Sequence, residues 1–144
     1  MSNNEEQLIK YIMMGANDVC ICFLDSAIID SRYVDHAKNS LLSLSLWAGL
    51  TNVAIRLIEM GADVNHIDGT GAPMLCLAIR RGDDDVGKKL IDCGADIHQR
   101  HLKTGLSAYD FAKKSRAPDI KKLIPYLHTE ENIVDDANLE NVIE

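Results

Sequence analysis

A few residues in the chain have the types and spacing that chemistry requires. Asp83-Asp84-Asp85 is a run of three carboxylates, the raw material of a cation site or of acid–base work. His98 and His101 are spaced H-x-x-H, and His66 stands further back in a similar polar stretch, which suggests a metal site. The four cysteines are Cys20, Cys22, Cys76 and Cys93. Arg80-Arg81 is a double guanidinium that could clamp a carboxylate with paired hydrogen bonds. Trp47 is the only tryptophan, either a binding anchor or a core residue packed back on Leu50 or a neighbouring helix.

Most of these have an ordinary reading. The three aspartates open an apolar-periodic segment, where acids complement the positive end of a helix dipole. The histidines fall on loop tips rather than on one helix face, and nothing supplies third and fourth ligands at fixed spacing. Cys20-x-Cys22 is not a C-x-x-C, so the thiols are expected to be buried and free, with no disulfide framework. Asp68-Gly69-Thr70-Gly71 is glycine-rich but reads as a hairpin turn. Nucleophile-elbow, phosphate-loop and HExxH motifs are absent from the sequence. The expectation is a protein without catalytic activity, cofactor or metal.

The elements that position these residues repeat. Gly61-Ala62-Asp63-Val64-Asn65 returns as Gly94-Ala95-Asp96-Ile97-His98. Ahead of these two glycines, at one and the same distance, stand Gly49 and Gly82, and Gly15 precedes Gly49 by nearly the same period. Each unit has a short apolar segment such as Leu41–Leu46 or Met74–Ile79, then a turn glycine. A second apolar segment at helical spacing follows (Val53, Leu57, Ile58; Val86, Leu90, Ile91), then Gly-Ala-Asp and a polar stretch. That predicts helix, tight turn, helix and extended loop, repeated about four times over 3–35, 36–69, 70–102 and 103–128. No unit could bury its apolar face alone, so the units must stack into one core. The outer units need polar outer faces, which Glu5, Glu6, Lys113, Lys121 and Lys122 suit.

This pattern resembles the ankyrin-repeat family. Leu57-Ile58-Glu59-Met60-Gly61-Ala62-Asp63-Val64-Asn65 and Leu90-Ile91-Asp92-Cys93-Gly94-Ala95-Asp96-Ile97-His98 stand where that family has L-L-x-x-G-A-D-V-N. Ser40-Leu41-Leu42-Ser43, Pro73-Met74-Leu75-Cys76 and Ser107-Ala108-Tyr109-Asp110 replace its usual Thr-Pro-Leu-His. The resemblance covers residues 4–128. It implies an all-α solenoid of stacked helix-turn-helix units with hairpin loops, occupying 1–128 ahead of an acidic tail, 129–144.

The resemblance also implies a non-catalytic adaptor or inhibitor that binds another protein along a concave face. That face would be built from the residues before each turn glycine and from the hairpin tips. Here they are Met13, Met14, Trp47, Arg80, Arg81 and Lys114, then His36, Asn39, Ile67, Asp68, Arg100, Leu102 and Lys103. The stripe is apolar at its N-terminal end and basic at its C-terminal end. A partner offering an apolar plus acidic segment would suit it. Asn65 resembles the hairpin asparagine that hydroxylases modify in some ankyrin proteins, although a backbone-bonding role is the stronger expectation.

Charge sharpens this. The net −7 is uneven: residues 1–79 carry four bases and nine acids, residues 80–128 eleven bases and seven acids, and residues 129–144 six acids and no base. The small basic excess over 80–128 is too weak for the phosphate term of nucleic-acid binding. No apolar run reaches membrane-spanning length. The acidic start, Met1-Ser-Asn-Asn-Glu-Glu, lacks the basic opening of a secretory signal, so a cytoplasmic protein is expected, and separately a monomer. The tail has three competing readings: a cap on the last unit, a strip folding back on the basic half, or an export signal of the kind bacterial effectors carry. The last would go with a toxin-neutralising or effector role against a basic partner, inside a host cell.

Overall fold

The computed structural model describes residues 3–108, 110 and 111. Lys113, Lys114, Lys121, Lys122, the end of the fourth unit and the acidic tail lie outside the described residues. Within them the chain is all-helical: α1 Asn4–Met13, α2 Asn17–Ser26, α3 Leu41–Ala48, α4 Thr51–Glu59, α5 Met74–Arg80 and α6 Asp84–Asp92. It turns helical again at Ala108. None of these helices is long and apolar enough to cross a membrane.

The helices come in pairs, joined by the same turn each time. Gly15, Gly49 and Gly82 have φ of 71°, 75° and 76°, left-handed angles that a Cβ would penalise. One residue on, the same backbone bond recurs: Ala16 to the Tyr11 carbonyl, Leu50 to Ser45, and Asp83 to Ala78, at 3.1, 2.9 and 2.9 Å. This long bond reaches back over the last helical turn and satisfies a carbonyl that the helix end would leave open.

Successive pairs pack in two layers. α1, α3 and α5 lie side by side, as do α2, α4 and α6. The middle of the first layer has neighbours on every side, so α3 is buried from Leu41 to Leu46 and α5 from Met74 to Ile79. α4 and α6 bury only one stripe, Val53, Ala54, Leu57 and Ile58 in α4 and Val86, Gly87 and Leu90 in α6. Outward-facing ion pairs, Asp25 with Arg56 and Glu59 with Lys89, join neighbouring second-layer helices.

Between pairs the chain makes a hairpin each time. Antiparallel bridges join Val34 to Ser40, Ile67 to Pro73 and Arg100 to Ser107, the third closing a loop one residue longer than the other two. First-layer helices start directly after them. Two of these starts carry reciprocal caps. The Ser40 and Ser43 hydroxyls each accept the other's backbone N–H, at 3.0 and 2.8 Å. Ser107 and Asp110 do the same at 3.3 and 3.0 Å.

The cysteines depart from expectation in part. Cys20 and Cys76 are buried, but Cys22 and Cys93 are exposed; all four are free. Burial pushes the Cys76 thiol up to about 12, with Arg80 pulling it down and Asp110 pushing it up.

Candidate functional site

The pre-glycine residues sit at the C-terminal ends of α1, α3 and α5. Because those helices lie side by side, their ends form one edge of the molecule. Met13 and Met14 are 69% and 74% exposed, far more than methionine needs to be, and Trp47 is 38% exposed. Arg80 and Arg81 are exposed further along the same edge. An apolar stretch therefore runs into a cationic one.

The hairpin tips form the second edge by stacking on one another. His66 Nε2 lies 2.7 Å from the Lys38 carbonyl oxygen. The Leu102 N–H donates to the Gly71 carbonyl at 2.8 Å. Gly69 sits so close to the first hairpin that a Cβ there would lie 2.0 Å from the Ala37 carbonyl oxygen. Across the three stacked tips runs a groove of about 340 Å³, lined among others by Lys38, Ile67, Thr70, Leu102 and Lys103. Leu102 is 72% exposed at its rim. Lys38 was missed by the sequence reading. Its signal is its position, one repeat ahead of Gly71, and it takes the same left-handed conformation, φ 67° against 87°.

Two of the expected binding residues have internal roles. Asp68 is buried, 3% exposed, rather than displayed at its tip. Its Oδ1 accepts from the Thr70 N–H at 2.9 Å, the Thr70 hydroxyl at 2.6 Å and the Ala72 N–H at 3.0 Å. Its Oδ2 accepts from Trp47 Nε1 at 3.0 Å. The carboxylate has nothing left to offer a partner. Burial raises its pKa, but the bonds from Thr70, Trp47 and Ala72 together outweigh burial and hold it below the usual carboxylate value. Trp47 is thus both tied down and half displayed: its indole nitrogen anchors the second hairpin while part of its surface remains exposed.

Arg80 stands one repeat after Trp47. Its guanidinium carbon lies 5.9 Å from the Phe111 ring centroid, a cation–π approach. The Arg81 N–H closes α5 on the Leu77 carbonyl at 3.0 Å, and its guanidinium makes no hydrogen bond or ion pair among the described residues. Arg100 bonds the Gly105 carbonyl at 2.7 Å and lies 3.8 Å from Asp110. His36 is exposed and Asn39 half-buried.

Some of the groups that suggested chemistry make structural ties. Asp83 caps α6 through the Val86 N–H at 3.1 Å and accepts the Thr51 hydroxyl at 2.6 Å. His101 is buried within the third hairpin. Asn65 Oδ1 accepts the Asp96 N–H at 2.7 Å, joining successive units. Among the described residues, no group of three or more His, Cys, Asp or Glu could hold a metal ion.

Comparison with models of known protein families finds no match, and no curated protein matches the chain.

Proposed function

We propose that the chain is an ankyrin-type repeat array that works as a non-catalytic adaptor or inhibitor. It binds a partner protein across the edge formed by the first-layer helix ends and the stacked hairpin tips. The observation that carries this reading is the exposure of Met13, Met14 and Trp47 along one edge that continues into Arg80 and Arg81. Large apolar residues displayed together favour an interface, because contiguous apolar surface is otherwise costly to leave wet. The cations beside them suit a segment that follows an apolar anchor with carboxylates. Met13, Met14 and Trp47 would hold the anchor, Arg81 and Lys103 the acids.

The test uses Met14→Glu with Arg81→Glu, since both side chains are exposed and neither supports the fold. Binding of the partner recovered from the native source should weaken by about tenfold or more, a loss typical of interface anchors. The urea midpoint should stay at the wild-type value. Unchanged binding by the double variant would remove this edge from the account.

A further inference from the structure

The third hairpin is one residue longer than the other two, and it differs from them in the side chain that holds its loop. Asp35, Asp68 and His101 are equivalent, each one repeat from the next. In the first hairpin, Asp35 Oδ1 accepts the N–H groups of Ala37 and Asn39, both at 2.9 Å. In the second, Asp68 Oδ1 accepts those of Thr70 and Ala72. A carboxylate can do this throughout the physiological pH range. In the third, the acceptor is His101 Nδ1, which takes the Lys103 N–H at 3.1 Å. A backbone N–H can only donate, so this bond requires Nδ1 to be unprotonated. An imidazolium carries donors on both nitrogens and must break it.

His101 is placed to control what its hairpin presents. The residue it holds, Lys103, and its neighbour Leu102 line the groove together with Ile67 and Lys38. We propose that His101 is a pH-operated clasp: protonation frees Leu102 and Lys103 from their places in the groove and so weakens partner binding on acidification. This rests on the reading of the face given above.

The surroundings keep the clasp closed at neutral pH. Burial disfavours the charged ring, Arg80 on α5 and Lys103 on the same hairpin repel it, and Asp68 on the second hairpin partly offsets them. Phe111 packs at 6.2 Å between ring centroids. The Cys76 thiol on α5 reaches the Leu106 carbonyl at 3.9 Å, and the Arg100–Asp110 pair, 3.8 Å apart, flanks the loop. The folded state therefore favours the neutral ring more than the unfolded chain does. Stability from this group is complete above the ordinary imidazole value of about 6.5 and falls as pH drops from there through the lower folded value.

Nuclear magnetic resonance on the full chain tests this without a partner. Between about pH 7.5 and about pH 5, where imidazoles titrate, the Lys103 amide should shift and lose hydrogen-exchange protection with the midpoint of the His101 ring. The Thr70 and Ala37 amides should not follow that midpoint. His101→Asp should make Lys103 independent of pH, and His101→Asn, which keeps a neutral acceptor, should do the same. The proposal is overturned if Lys103 does not follow the ring, or if both variants keep the wild-type pH dependence. It is overturned equally if the clasp titrates while affinity for the recovered partner stays constant through the transition. Because the amide measurement involves no partner, a failure there is separate from a failure of Met14→Glu with Arg81→Glu to disturb binding.

Discussion

Asp68→Ala is expected to cost about 3–4 kcal/mol of stability. Four donors converge on this carboxylate, two of them backbone N–H groups of its own loop. A hydrogen bond to a charged group contributes roughly 1.5–3 kcal/mol, and a buried donor left unmade costs about 1–3 kcal/mol. Thr70 is exposed, so its N–H and hydroxyl can turn to water. Ala72 is fully buried and cannot, so its N–H is orphaned outright. Trp47 is half displayed and recovers part of its loss. One orphaned amide and three partly compensated bonds give that total. Asp68→Asn should cost less, about 1–2 kcal/mol, because its Oδ1 still serves the loop while its amide nitrogen meets another donor at Trp47 Nε1. Urea denaturation followed by fluorescence is the assay, and Trp47 is the sole tryptophan, so the emission reports the bond directly. Both variants should shift the native emission as the indole nitrogen loses its carboxylate. A cost below about 1 kcal/mol for Asp68→Ala, with native emission unchanged, would refute the assignment of Asp68 as the internal support of the second hairpin. Acid should act in the same direction. The folded pKa lies below the unfolded value of about 3.9, so this stability is present above that value and is lost as pH falls through the folded one.

Three other perturbations isolate single contacts. Gly69→Ala should cost about 2–3 kcal/mol in the same assay, because its new methyl meets the Ala37 backbone at 2.0 Å and the two hairpins must part. A neutral result would mean that the tips are not in contact. Lys38→Gly should stabilise by up to about 1 kcal/mol, since φ of 67° suits glycine and the equivalent positions, Gly71 and Gly105, already have it. Maleimide labelling of the native protein at neutral pH should modify Cys22 and Cys93 readily while Cys76, buried and held up at about 12, stays unmodified until urea unfolds it.

The repeat period was legible in the sequence because one backbone device recurs in three units among the described residues. The left-handed turn after each first-layer helix accepts glycine best, so Gly15, Gly49 and Gly82 announce it. The same regularity located each hairpin. It did not reveal the burial of Asp68, because spacing places a residue at a tip without saying that the tips stack. The clue available was Gly69 beside it: a glycine whose φ is not left-handed is there for close approach. Trp47 was ambiguous for a similar reason. Its position marked it as exposed, and its indole nitrogen needed a partner, which the next unit supplies in Asp68. The substitution of His101 for aspartate was visible, but its meaning required the Lys103 bond.

Site-specific photocross-linking tests the central claim most directly. A photoreactive side chain at position 14, on the exposed helix-end edge, is compared with one at position 92, at the end of α6 in the other layer. In the native source, the position-14 probe should capture one discrete protein, and excess unlabelled wild type should compete it away while Met14→Glu with Arg81→Glu should not. Capture of that protein equally well from position 92, or competition by the double variant as strong as by wild type, would contradict binding at this edge.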